Sequence, residues 1–134
     1  MKRILSAALA LAILAGAGAA EAQSRNRVQI DQRGHGHGAA ASQQGDRNGA
    51  VVMQSGRGHY AQGIQSGYNN FLRMDQYGTR NHATTTQLGT NNFSATGQEG
   101  RNLRADTIQT GHGNVAGVAQ IGNWVTSPRR ATKV

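Results

Sequence analysis

From Asn26 onward the chain alternates inward and outward positions in short runs, and each run closes on a glutamine. The glutamines recur every eleven residues, at Gln32, Gln43, Gln54, Gln65, Gln76, Gln87, Gln98, Gln109 and Gln120. The positions four and two before each one share its face of an extended strand. In the odd-numbered units these are Val28/Ile30, Ala50/Val52, Leu72/Met74, Ser94/Thr96 and Ala116/Val118. In the even-numbered units they are Ala39/Ala41, Ala61/Gly63, Ala83/Thr85 and Ala105/Thr107. Period-two patterning predicts strands. Two residues after each glutamine comes a glycine: Gly34, Gly45, Gly56, Gly67, Gly78, Gly89, Gly100, Gly111 and Gly122. These glycines are read as turn residues. An eleven-residue period also suits a right-handed coiled coil, but a glycine in every unit would cost ~1 kcal/mol each relative to alanine. The seam would be Gln and Gly instead of Leu and Ile, so the helical reading is rejected.

The two strand types differ, so the true repeat is 22 residues. Strands with bulkier inner side chains alternate with strands carrying small ones, which fills a thin core without voids. A second marker agrees. The residue six before each odd-numbered glutamine is Asn26, Asn48, Asn70, Asn92 or Asn114, whereas the even-numbered equivalents are His37, His59, Asn81 and Leu103. The expected fold is all-β: a two-sided β-solenoid of five strand–turn–strand repeats, with rungs ~4.8 Å apart. Four repeats occupy 26–47, 48–69, 70–91 and 92–113. The fifth starts at 114 and is incomplete, because Ala131 replaces its second glutamine and Pro128 is expected to end ladder pairing. Each Gln should lie over the Gln one rung away, so that stacked amides bond rung to rung; the corner asparagines can do the same. Only residues 23–25 separate the repeats from the leader described below, too little to cap the first rung. Open rungs expose unpaired backbone, and the simplest consequence is addition of further copies.

Composition adds an address. Lys2 and Arg3 precede an apolar run from Ile4 to Ala20, and Ala20-Glu21-Ala22 has the form of a signal-peptidase site. Residues 1–22 are therefore read as a secretory signal peptide, 23–25 as a short N-terminal segment, 26–125 as the solenoid and 126–134 as a basic tail. The chain has no cysteine, so no disulfide framework holds it. It has 14 Lys and Arg against 6 Asp and Glu; without Lys2, Arg3 and Glu21 the balance is +7. The charges are spread along the repeats, as gatekeepers of solubility are. They also allow extracellular DNA or acidic polysaccharide as partners.

The pattern N-x5-Q-x4-N-x5-Q, with Gly two after Gln and Ala seven after it, resembles the curlin repeat. Asn70-x5-Gln76-x4-Asn81-x5-Gln87, with Gly78 and Ala83, is the fullest match, and the resemblance runs from residue 26 to about 125. It implies an extracellular functional amyloid on a bacterial surface, with roles in biofilm matrix and adhesion. It also implies polymerisation with itself and with other curlin-type subunits, and export through a dedicated outer-membrane channel. The family has a major fibre subunit and a minor, surface-attached nucleator. Here the second Asn position is occupied by His37, His59, Leu103 and Val125, and the last repeat runs into Arg129, Arg130 and Lys133. A divergent basic final repeat is similar to minor subunits, where that region is associated with surface attachment; the departure is also compatible with a divergent major subunit.

Other chemistries fit less well. His35, His37 and His59 could approach a metal, but structural sites need three or four converging ligands, and no metal or cofactor is expected. His37 and His59 read as polar substitutes for the corner asparagine. No Ser/His/Asp set or carboxylate pair recurs or converges, so no enzyme and no small-molecule substrate are expected. A Thr-x-Thr ice-binding face is hinted at only by Thr84-Thr85-Thr86, and the G-G-x-G-x-D calcium repeat is absent.

Overall fold

The structure, a computed structural model, describes residues 11–14 and 24–133. It consists of strands joined by tight corners, in the order β1 (Leu11–Leu14), β2 (Arg27–His35), β3 (Gly38–Asp46), β4 (Gly49–Arg57), β5 (Tyr60–Tyr68), β6 (Phe71–Thr79), β7 (His82–Thr90), β8 (Phe93–Arg101), β9 (Arg104–His112), β10 (Val115–Asn123) and β11 (Thr126–Lys133). From β2 onward consecutive strands are separated by two residues. They wind alternately into two parallel sheets. One runs β10-β8-β6-β4-β2 and the other β1-β3-β5-β7-β9-β11. Every pair from β2 to β11 is in register at 22-residue separation, so that Gln54 sits opposite Gln76 and Gln65 opposite Gln87. This is the two-sided solenoid of about five 22-residue turns that the patterning predicts.

The core is a thin slab between the sheets. Val52, Leu72 and Met74 from the β2–β10 sheet pack with Ala39, Ala41, Ala61 and Ala83 from the other. Gly63 makes the room: a Cβ there would lie 2.9 Å from Leu72 Cδ2. Large therefore faces small across the slab, which keeps so narrow an interior close-packed. Toward the C-terminal rungs the core turns polar. Thr85, Ser94, Thr96 and Thr107 are buried there with hydroxyls that have no partner.

The glycines after each Gln are corrected from turn residues to strand residues. Each is the penultimate residue of its nine-residue strand from β2 to β10, where φ is between 100° and 142°. At Gly56, with φ 127°, a Cβ would stand 2.0 Å from the Gly78 carbonyl oxygen of the next rung. A side chain would wedge the rungs apart, so the bend and the close stack both demand glycine. The corners proper use a different column, in which the first corner residue is left-handed. Asn69, Asn91 and Asn102 accept φ of 54° to 56° readily; Arg47, Arg80 and Trp124 adopt φ of 55° to 60° in the same column.

Residues 126–134, expected as a tail, are corrected as well: β11 runs from Thr126 to Lys133 and pairs in register with β9, Pro128 opposite Asp106. The fifth repeat is thus complete in its backbone, though not in its side chains. Arg104 N–H donates to the Val125 carbonyl at 2.8 Å, which sets the phase of the ladder. In that phase the N–H groups of Thr126, Arg130 and Thr132 point away from β9, and so would that of Pro128. The proline breaks no bond to β9, because an edge strand is paired on one side only.

The signal-peptide reading falls on residues outside those described, apart from Leu11–Leu14. That segment lies as β1 against the outer edge of β3, Leu11 opposite Gly38. Among the described residues β2 has no strand on its outer edge, and neither β10 nor β11 has one beyond it.

Candidate functional site

The repeated side chains build two interior ladders of amides, one in each sheet. In the β2–β10 sheet Gln32 Nε2 donates to Gln54 Oε1 at 2.7 Å, Gln54 to Gln76 at 2.8 Å, Gln76 to Gln98 at 2.9 Å and Gln98 to Gln120 at 2.7 Å. In the other sheet Gln43 donates to Gln65 at 2.7 Å, Gln65 to Gln87 at 2.9 Å and Gln87 to Gln109 at 2.7 Å. From Gln43 onward an amide N–H also crosses to a backbone carbonyl of the opposite sheet, as Gln76 does to Tyr60 at 3.0 Å. Each interior glutamine thus fills both donors and accepts from below, so an amide in a dry slab is tolerated. All the donors point toward the C-terminal rung. Gln120, at that end, bonds the Arg104 and Val125 carbonyls at 2.7 and 3.2 Å.

The corner asparagines form a third ladder of opposite direction. Asn70, Asn92 and Asn114 each donate backbone N–H and Nδ2 to the Oδ1 of the Asn one rung below, at 3.0 to 3.1 Å. Asn48 donates its backbone N–H to Asn26 Oδ1 at 3.0 Å. The predicted glutamine and asparagine positions therefore all lie in interior columns, with Asn26, Gln32 and Gln43 half-buried and the others buried.

At the other corner His37 and His59 stack with ring centroids 5.0 Å apart and planes 3° from parallel. Their nitrogens are engaged. His59 Nε2 meets the Ser55 carbonyl at 3.0 Å, and its Nδ1 accepts the Asn81 backbone N–H at 3.2 Å. His37 Nδ1 accepts the His59 backbone N–H at 3.2 Å. The neutral ring with its proton on Nε2 satisfies both contacts of His59. Burial first, and then the neighbouring His37, hold the His59 pKa below its ordinary value, while the Ser55 carbonyl opposes them. Among the described residues no three His, Cys, Asp or Glu side chains gather as a metal site.

Sequence reasoning missed two features. One is the left-handed corner column, whose signal was available: six of the nine positions from Gly36 to Trp124 at eleven-residue spacing are Gly or Asn. The other is the outer surface, where register creates columns invisible to the inner pattern. Phe71 stacks on Phe93 with centroids 5.7 Å apart, Tyr60 on His82 at 4.8 Å, and Arg47 lies over the Tyr68 ring at 5.2 Å.

A parallel in-register stack, closed inside by continuous amide ladders, defines an amyloid-like repeat solenoid. Residues 45–78, spanning the end of β3 to the penultimate residue of β6, match the curlin associated repeat. That match to a curlin repeat, over about two of the 22-residue rungs, supports a place for the chain among curlin-repeat proteins. No match was found among curated proteins.

Proposed function

We propose that this protein is a structural, non-enzymatic subunit of extracellular functional-amyloid fibres on a bacterial surface, joining other subunits end to end by continuing its own ladders. One observation carries the reading: the two ends of the β2–β10 sheet are complementary. Among the described residues Gln32 Oε1, at the first rung, has no rung below it, while at the last rung Gln120 Nε2 turns to a neighbouring carbonyl. Stacked in register, Gln120 would donate to Gln32 of the next copy and Asn26 would donate to Asn114. Every one of those bonds repeats one already made four rungs deep inside the solenoid.

The rest of the proposal follows from the family. The leader sends the chain out of the cytoplasm, a dedicated outer-membrane channel exports it, and the fibres serve adhesion and biofilm matrix. A second reading, the minor subunit that starts fibres at the surface, is favoured by one observation: the last half-rung departs from the column chemistry and carries Arg129 and Arg130. DNA or acidic polysaccharide would meet the basic corner formed by Arg57, Arg80 and Arg101 on consecutive rungs. The test is fibre diffraction after incubating purified residues 23–134. Aligned fibres with a ~4.7 Å meridional reflection are expected. Chain that stays monomeric for days at concentrations of order tens of micromolar, or fibres lacking that reflection, would sink the polymer reading.

A further inference from the structure

The two sheets do not end alike. At the C-terminal end of the β2–β10 sheet, β10 continues every column: Asn114, Val118 and Gln120 are all buried, and no proline interrupts its edge. At the same end of the other sheet, β11 breaks three columns at once. Pro128 removes a donor from the outward edge, in the phase set by the Arg104 to Val125 bond. Arg129 occupies the inward column in which Thr85 and Thr107 are buried, and is itself exposed. Ala131 takes the place of the next glutamine, so Gln109 Nε2 reaches the Phe93 carbonyl at 2.8 Å but has no amide above it. A copy seated there would find no donor for its Gln43 and no N–H for its Ala39 carbonyl, and its Ala41 would press a guanidinium into a dry slab. A buried unpaired charge and an inward-pointing edge charge both oppose pairing.

We infer that β11 is a half-cap, and that the docking surface of this chain, once the leader that carries β1 is cleaved from the outer edge of β3, is its N-terminal edge, β2 with β3. The occupant that fits is the C-terminal end of a second curlin-repeat chain whose last half-rung keeps glutamine at the Ala131 position and a non-proline at the Pro128 position. On itself the chain closes a junction through the β2–β10 sheet alone; on such a partner it closes through both sheets. The ladders supply the complementarity, since among the described residues Gln43 Oε1 and Gln32 Oε1, at the first rung, accept from no side chain and await a donor. The inference rests on the fibre-subunit reading and adds to it which end accepts which partner.

The test restores β11 to the column chemistry with the triple substitution Pro128→Thr, Arg129→Thr and Ala131→Gln, which follows residues already accommodated in the other rungs. The soluble concentration in equilibrium with fibres is measured for the protein, for the triple variant and for Arg130→Thr, which removes a charge from the same strand without mending a column. The triple variant should lower that concentration roughly tenfold or more, about the effect of 1.4 kcal/mol. Arg130→Thr should leave it within about threefold. Below the wild-type chain's own soluble limit, where its single-sheet junction does not hold, labelled wild-type chain should add to triple-variant seeds at one end only. Equal concentrations for wild type and triple variant, or growth of those seeds at both ends, would overturn the half-cap. So would an Arg130→Thr effect as large as the triple, because general charge repulsion would then explain it. If neither chain yields cross-β fibres, the fibre reading itself fails and takes this one with it.

Discussion

Replacing Gln76 by methionine tests whether the interior ladder holds the stack together. Gln76 is fully buried and makes three hydrogen bonds: it accepts from Gln54 at 2.8 Å and donates to Tyr60 at 3.0 Å and Gln98 at 2.9 Å. Methionine is of similar size and makes none of them. Gln54 keeps its bond to the Gly38 carbonyl at 3.1 Å but strands one N–H, and Gln98 Oε1 loses its donor. Both neighbours are buried, at 2% and 1% exposure, so water cannot repair the loss. Two stranded groups at ~1–3 kcal/mol each come to ~2–6 kcal/mol. Burying the thioether returns about 1 kcal/mol. A net loss near ~3 kcal/mol raises the soluble concentration in equilibrium with fibres by about 150-fold. Gln29→Met is the control, since Gln29 is exposed on β2 and lies outside the interior glutamine column. It should shift that concentration less than about threefold. A Gln76→Met fibre that dissolves at the wild-type concentration, or a Gln29→Met fibre shifted as far, would refute the ladder as the source of cohesion.

Three further outcomes are expected. Gly122, with φ 121°, has nothing within 4 Å of the position a Cβ would take, whereas the same position on Gly100 stands 1.8 Å from the Gly122 carbonyl oxygen. Gly122→Ala should therefore add only backbone strain of ~1–3 kcal/mol to a lone solenoid, yet stop a next rung from seating; fibre yield by sedimentation checks this, and normal yield would place the junction elsewhere. Because the folded pKa of His59 is depressed, its contribution is fully present above the unfolded value of ~6.5 and falls away as the pH drops toward the folded one. Elongation should slow between pH 8 and pH 5, and His59→Asn, which places at this corner the residue found at Asn81, should flatten the dependence; equal slopes for the two chains would exclude His59 as the cause. Arg80 stands at φ 55° in the left-handed corner column, so Arg80→Asn should stabilise by ~0.5–1 kcal/mol, read as a higher denaturant midpoint for fibre dissociation. A lowered midpoint would mean that the Arg80 side chain contributes more than its backbone strain costs.

The amide columns were legible because a stack repeats its environment. Gln54, Gln76 and Gln98 sit in the same surroundings one rung apart, and so the residue recurs at a constant interval. The pairing of bulky with small strands was legible for the same reason, since Leu72 and Met74 can be large only where Gly63 is small. The glycines misled because glycine after a polar residue is ordinarily a turn. Here the constraint on Gly56 comes from a carbonyl 22 residues later, and local sequence contains no such neighbour. Pro128 misled in the opposite sense. A proline ends a ladder only if its missing N–H would have faced a partner, and that depends on the phase of the strand and on which side it is paired.

Sequence alone determined the repeat length, the parallel register and the residues of each interior column. Identical side chains at a constant interval are satisfied together only by stacking like on like. Tertiary structure decided what becomes of the columns where the repetition fails. Whether Arg129 points into the slab, whether the N–H lost at Pro128 faces β9 or the open edge, and whether the Ala131 gap lies at a buried rung or the last one are questions of direction and neighbourhood. Those are set by how the two sheets close on each other, and no interval along the chain encodes them.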